Sequence, residues 1–202
     1  MSLALETKHM SQWKTEDSAE LGGSGNDFVN FSLNLIAPIK PTDLIHDNGC
    51  GFGLVSKAII ARASPSARGF RIQATDDNPQ FVMCCEEEAK RNKWPLEAHI
   101  MDARDLDFSD NHFSHSFSNW PFQSAQATKF ALEEVYRTLK PGGIAIVSSF
   151  EGAASTSSVQ DRSSQEEQMK DALVEAGFNP DKTLLYHNDE AVRVAIATKD
   201  YS

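Results

Sequence analysis

Three glycines at alternate positions, Gly49, Gly51 and Gly53, constrain this chain more than any other feature. Before them runs Asp43-Leu44-Ile45-His46-Asp47-Asn48, a short apolar stretch that ends in an acid. After them, Leu54-Val55-Ser56-Lys57-Ala58-Ile59-Ile60-Ala61-Arg62 repeats apolar residues at helical spacing. The pattern reads as strand, tight turn and helix, the opening unit of an α/β fold. Glycine reaches positive φ without steric cost and lets a ligand approach the backbone closely. The start of the helix offers unpaired N–H groups and a partial positive charge. The turn is therefore expected to hold a small ligand. A phosphate is the first candidate, because helix N-termini favour anions.

The rest of the chain continues the alternation. Residues 1–25 are largely polar, with Trp13 and Leu21 as isolated anchors, and they end in Gly22-Gly23-Ser24-Gly25, which reads as a hinge or loop. This segment is either a frayed end or a lid in which Trp13 closes over a pocket. Asn26 is placed to cap a helix over residues 27–37, with Phe28, Phe31, Leu35 and Ile36 as its apolar stripe. Residues 70–75 alternate as a second strand that ends at Asp76-Asp77, and Asn78-Pro79 starts a helix. A third strand covers residues 97–101 and ends at Asp102-Ala103. A fourth, residues 113–118, ends at Asn119-Trp120-Pro121-Phe122. A helix over 126–139 is stopped by Lys140-Pro141-Gly142-Gly143, and a buried-looking fifth strand follows over 144–150. Residues 152–164 are rich in Ser, Ala and Gly and read as a loop. A helix to Gly177 and a hairpin of strands over 183–187 and 192–198 close the chain. The expected fold is α/β: a mostly parallel seven-stranded sheet with an antiparallel C-terminal hairpin strand and helices on both faces.

Length and charge narrow the partners. A chain of 202 residues fits one domain with a sizeable core. A net charge of −10 argues against non-specific binding to nucleic acid or anionic membranes. Cys50, Cys84 and Cys85 form no CxxC pair and no His/Cys metal spacing, so free thiols in a reducing cytoplasm and no bound metal are expected. No stretch is apolar enough to span a bilayer, and the first residues lack the pattern of a signal peptide.

In sheets of this kind, ligands bind beyond the carboxyl ends of the strands. Four such ends are polar here: Asp47 with the glycines, Asp76-Asp77, Asp102 and Asn119. An acid at the second strand end suits the two hydroxyls of a ribose, and Asp102 suits the exocyclic amine of an adenine. Asp47 and the turn backbone, including Cys50, remain for the rest of the ligand. These residues resemble the class I S-adenosylmethionine-dependent methyltransferases, over about residues 40–200. Asp47-Asn48-Gly49-Cys50-Gly51-Phe52-Gly53 matches that family's acid-x-Gly-x-Gly-x-Gly motif. Asp76, Met101-Asp102-Ala103 and Leu139-Lys140-Pro141-Gly142-Gly143 resemble its ribose, adenine and strand-five segments. Nicotinamide-cofactor binders expect Gly-x-Gly-x-x-Gly, and Gly53 comes one position early for that pattern.

The resemblance implies a Rossmann-like methyltransferase fold over residues 38–202, with residues 1–37 as a substrate-covering segment. S-adenosyl-L-methionine would be the cofactor and S-adenosyl-L-homocysteine the product. It implies cofactor contacts at Asp47, Gly49, Cys50, Gly51, Gly53, Asp76, Asp77, Asp102, Ala103 and Asn119. Asn119-Trp120-Pro121-Phe122 resembles the Asn-Pro-Pro-aromatic segment of amino-methyltransferases, with Trp120 in place of the first proline. A plain turn with two packing aromatics is the other reading. The acceptor is expected to be a small organic molecule walled by Trp13, Phe28, Trp120 and Phe122, methylated at N or O. Asn119 and His115, with His112 beside it, are the candidates for assisting the chemistry. A second subunit could supply cover in a homodimer. The alternative is a methyltransferase-like scaffold, regulatory subunit or catalyst of a non-methylating reaction such as a cyclisation.

Overall fold

A computed structural model describes residues 22–63, 69–120, 125–150, 159–187 and 192–201. The elements in order are α1 (Gly22–Leu35), β1 (Leu44–Asn48), α2 (Leu54–Arg62), β2 (Arg71–Asp76), α3 (Pro79–Asn92) and β3 (Leu96–Ile100). They continue with β4 (Phe113–Trp120), α4 (Ala125–Thr138), β5 (Leu139–Phe150), α5 (Val159–Glu175), β6 (Thr183–His187) and β7 (Val192–Thr198). The seven strands form one sheet in the order β3-β2-β1-β4-β5-β7-β6. The first five are mutually parallel, and β7 runs antiparallel to both β5 and β6. The strand order reverses between β1 and β4, which opens a crevice at their carboxyl ends.

Two cores hold the layers. On one face, Val29 of α1, Val55 and Ile59 of α2, and Val82, Cys85 and Ala89 of α3 pack on Ile45, Ile72, Ala74 and Phe117 of the sheet. On the other, Leu132 and Val135 of α4, Leu173 of α5 and Ala176 just beyond it pack with Ala145, Val147, Ala195 and Ala197. Strands β5 and β7 thus send alternate side chains to opposite layers, Ile146, Val194 and Ile196 to the first and Ala145, Val147, Ala195 and Ala197 to the second, as the pleat requires.

The glycine cluster before Phe28 is not a loop. Gly22, Gly23 and Gly25 lie in the first turn of α1, and Asn26 is inside the helix rather than at its cap. Helix propensity is a weak prior that tertiary packing overrides. Here α1 buries Val29 and Ser32 and is tied to α2 by Arg62, whose guanidinium donates to the backbone carbonyl and side-chain oxygen of Asn30 at 3.3 Å. Helix α5 likewise begins at Val159, inside the stretch over 152–164 that reads as a loop in the sequence.

Other ends follow the local chemistry. Asn78 caps α3 by accepting from the Gln80 N–H at 3.0 Å, with Pro79 at the first helical position. Gly177, at φ 112°, closes α5 with a paired motif in which its own N–H bonds the Val174 carbonyl and the Phe178 N–H bonds that of Leu173. Lys199 caps α4 from outside: its ammonium donates to the Tyr136 and Leu139 carbonyls at 2.9 and 2.8 Å. The connection from β3 to β4 is an irregular loop pinned to α4. Arg137 donates to the Leu106 and Phe108 carbonyls and pairs with Glu134 and Asp110, while Glu134 accepts from the Leu106 N–H.

Candidate cofactor site

The three glycines of the turn sit at φ 73°, 49° and 74°, in the left-handed region where a side chain is strained. Strand β2 sets the turn from beside it. The Gly49 and Cys50 N–H groups both donate to the Thr75 carbonyl, at 2.9 and 2.8 Å. The Gly51 N–H donates to Asp76 Oδ2 at 2.9 Å, and the other oxygen of Asp76 accepts from Asn78 N–H at 2.9 Å. A carboxylate has about four lone-pair positions. Asp76 therefore stays half available, at the lip of the turn, for two hydroxyls. A Cβ built on Gly51 meets nothing within 4 Å, so the backbone here fronts open space of the kind a ligand fills.

Asp47 lies deeper. Only 1% of it is exposed, and its Oδ2 accepts from the Ser56 backbone N–H at 3.0 Å and from the Ser56 hydroxyl. It thereby caps the first turn of α2, a task that Gly53 at the N-cap cannot perform. Burial pushes its pKa up to about 6, against the Ser56 hydrogen bonds that lower it, and the charge of Asp76 adds to the rise. Among the described residues no Lys, Arg or His pairs with Asp47. A buried carboxyl without a cation, behind an open glycine backbone and a ribose-suited acid, fits a cationic nucleoside. S-adenosylmethionine, with its sulfonium and ammonium, is such a ligand; a phosphate would meet two acids.

The other expected residues are placed unevenly. Asp77 is exposed one residue past β2. Asp102 follows β3, two residues past Ile100, the register partner of Asp76, and the Met101 N–H donates to the Asp76 carbonyl at 3.0 Å. Its carboxylate is engaged by Arg104, whose side-chain hydrogen bond holds it below the usual range. An adenine amine at Asp102 must therefore displace or share Arg104. Ala103 is half-buried beside it. Asn119 pairs with Ser148 one residue beyond the Asn48–Ser118 pair, which brings its backbone to the carboxyl end of β1. The side chains of Asn119, Trp120 and Phe28 lie outside the described set, as do Trp13 and Phe122 altogether.

His115 is not brought to the turn. It pairs with Ile45 near the amino ends of the strands, with Nδ1 4.0 Å from Asp43 and 3.0 Å from the Ser114 hydroxyl. Burial lowers its pKa against the pull of Asp43. His112 is tied into a local aromatic cluster with Phe108 and Phe113. His46 is fully buried between Thr75 Oγ1, at 2.9 Å, and Phe113, and burial drops its pKa to about 3, so it is a neutral core residue. The described residues contain no group of three or more His, Cys, Asp or Glu side chains suited to a metal.

Two features of the site escaped the sequence. Ser56 reads as one polar residue in an apolar helix, yet it supplies both bonds that hold Asp47. Phe52 in the turn meets Phe81 of α3 edge-on, with ring centroids 4.8 Å apart, and forms an aromatic shoulder next to Gly51. Phe81 lies 29 residues further along the chain, and no spacing rule links it to the turn.

Comparison with known proteins agrees with this geometry. A family model described as a methyltransferase domain matches residues 46–147, just over half of the chain. The acetylaranotin bis-thiomethyltransferase of Aspergillus terreus is 26% identical over 153 residues, covering 75% of this chain and 50% of that protein. A carboxy-S-adenosyl-L-methionine synthase of Photobacterium profundum is 30% identical over 111 residues, covering 54% of this chain and 45% of the other. The chain thus spans about half the length of the curated relatives it matches. Among solved structures, a candidate S-adenosyl-L-methionine-dependent methyltransferase from Methanococcus maripaludis superposes with a TM-score of 0.70 at 17% identity, covering 96% of this chain and 92% of that one.

Proposed function

Because the chain belongs to the S-adenosylmethionine-dependent methyltransferase domain family, we propose that it transfers a methyl group from that cofactor to a small organic acceptor, at nitrogen or oxygen. The observation that carries the reading is the buried, cation-free Asp47 behind the open glycine turn. The cofactor supplies an activated methyl on a sulfonium, which an acceptor displaces in line. What the protein contributes is alignment and exclusion of water. Gly49, Cys50, Gly51 and Gly53 give the backbone path. Asp76, already oriented by two N–H donors, takes the ribose hydroxyls. Asp47 faces the ammonium side, held rigid by Ser56. Asp77, Asp102 and Ala103 border the adenine, and Phe52 and Phe81 shield it from the helix side.

Asn119, at the end of β4, is the residue assigned to the acceptor, with Trp120 and Phe122 next to it as walls. Residues 1–37, anchored through the packing of α1, form the cover together with Trp13 and Phe28. A homodimer is the other source of cover. The net charge of −10 supports a neutral or cationic acceptor over nucleic acid. No helix among the described residues is long and apolar enough to cross a membrane, which is compatible with a cytoplasmic enzyme.

Calorimetric titration with S-adenosylhomocysteine tests the site, and transfer of a labelled methyl across a panel of amines, phenols and acids tests the reaction. Tight cofactor binding with no labelled product across the panel would favour the non-methylating alternative.

A further inference from the structure

Strand β3, Leu96-Glu97-Ala98-His99-Ile100, is the outermost strand at one end of the sheet. The Ile72 N–H donates to the Pro95 carbonyl at 2.8 Å, and the Met101 N–H donates to the Asp76 carbonyl at 3.0 Å. Odd-numbered residues of this segment therefore turn their backbone groups toward β2. Alternation leaves the N–H and C=O groups of Leu96, Ala98 and Ile100 on the outer side, where no described strand pairs with them. Soluble proteins commonly blunt such an edge with Lys, Pro or a bulge. Strand β3 contains neither Lys nor Pro, and its pairing with β2 runs without a register shift. Ile100 is 59% exposed at its end, and Met83 of α3, the helix packed on β3, is 47% exposed.

We propose that this edge pairs with the same edge of a second copy of the chain, antiparallel and centred on Ala98, joining two sheets into one. The strand is self-complementary in that register. Ala98 faces Ala98, Leu96 faces Ile100, and Glu97 faces His99 across a two-fold axis. The Ala98 pair exchanges both of its backbone hydrogen bonds, and each Leu96–Ile100 pair exchanges two more, so every outward group of the strand is used. The exposed Ile100 gains an apolar neighbour. Glu97 and His99 fall at the non-hydrogen-bonded positions, where facing side chains come closest.

Gln73 of β2 holds both of those side chains in place. Its amide N–H donates to Glu97 Oε2 at 3.1 Å, and its side-chain oxygen accepts from His99 Nε2. Among the described residues, Glu97 Oε1 and His99 Nδ1 have no hydrogen-bond partner. In the paired edge, His99 Nδ1 carries a proton and donates it to the facing Glu97 carboxylate, once on each side of the axis. The charges also select the register. Sliding by two residues would set Glu97 against Glu97 or His99 against His99, and like charges directly opposite are destabilising. The outer strand at the other end of the sheet, β6, carries no acid to set against its His187, so self-pairing there has no such selection.

The pairing uses none of the residues assigned to the cofactor, so self-association and ligand titration succeed or fail separately. Sedimentation velocity of the full chain is run from low to high micromolar concentration at about pH 6, where imidazole commonly carries its proton. A concentration-dependent dimer is expected. Ile100→Lys, an exposed substitution of the kind that guards natural edges, should raise the dimer dissociation constant at least tenfold with circular dichroism unchanged. His99→Glu sets two acids face to face and should weaken the dimer by about tenfold as well. Combining it with Glu97→His restores opposite charges in the same register, with the Gln73 amide turned over to serve them, and should recover most of the lost affinity. A chain that stays monomeric throughout overturns the proposal. So does a dimer indifferent to Ile100→Lys, which would lie on another face, or a double variant no tighter than His99→Glu alone.

Discussion

Two acids of this protein are held by hydrogen bonds and have opposite electrostatic fates. Glu134, on α4, accepts from the Leu106 N–H and from Arg137, whose side-chain hydrogen bond is the main reason its pKa lies below the usual carboxylate range. Asp47, at the end of β1, accepts from Ser56 alone, and burial pushes its pKa up to about 6. Glu134 has its cation built in and closes a structural clamp on the loop between β3 and β4. Asp47 has none. The comparison separates charge compensated within the fold from charge left without a cation among the described residues, and it supports the proposal that the glycine turn is the cofactor end of the sheet.

The largest effects are expected where the backbone itself is altered. Gly51→Val forces a β-branched residue into φ 49°, and Asp76→Ala removes both the partner of the Gly51 N–H and the proposed ribose acceptor. Each should lower S-adenosylhomocysteine affinity at least a hundredfold by calorimetry while leaving far-UV circular dichroism largely intact. Wild-type affinity in both would place the cofactor elsewhere.

Asp47→Asn sharpens the contrast further. It keeps an acceptor for Ser56 and removes the buried charge. Affinity should fall about tenfold, on the scale of one charge-assisted hydrogen bond. Stability should rise at the same time. A carboxyl whose folded pKa is raised from 3.8 to about 6 contributes stability below pH 3.8 that is lost as pH rises through about 6. At pH 7 the variant should therefore gain roughly 2–3 kcal/mol in urea denaturation, on the scale of 1.36 kcal/mol for each unit of pKa displacement. At pH 3.5 it should gain nothing.

Glu134 carries the reverse sign. Its lowered pKa contributes stability above the ordinary carboxylate range that is lost as the medium becomes more acid. Glu134→Gln should cost about 1–3 kcal/mol at pH 7, as loss of a charged partner in a part-buried network does, with cofactor affinity changed less than twofold. A large loss of affinity would mean that the clamped loop belongs to the site. The smallest effect is expected from His115→Gln. It sits at the amino ends of the strands beside Asp43, so labelled-methyl turnover should change less than twofold.

Much of the fold was legible because its signals are local. Alternating glycines, the Asn78-Pro79 helix start, the Gly177 stop and the β6–β7 hairpin each depend on a few adjacent residues, and the parallel order of the sheet follows from strands alternating with helices. The misplacements occurred where distant packing decides. Gly22, Gly23 and Gly25 enter a helix because Val29 finds the core and Arg62 holds Asn30. The candidate site divides in the same way. Asp47 and Asp76 were legible as acids at strand ends, but their difference in state was not. It depends on Ser56, Thr75 and the absence of a nearby cation, which only the folded chain brings together. The pairing of Asp102 with Arg104 is local, yet an Asp-x-Arg spacing does not by itself tell an ion pair from an open ligand site.

The central claim is that Asp47 waits, uncompensated, for a cationic group. Its most direct test is the proton balance of cofactor binding. Calorimetry with S-adenosylhomocysteine at pH 5.5 to 6, in buffers of different ionisation enthalpy, should show net proton release on binding as the ligand ammonium draws Asp47 into its ionised form. The release should vanish in Asp47→Asn and fade by pH 8. Binding that releases no proton near pH 6, or releases the same number in Asp47→Asn, would contradict the account.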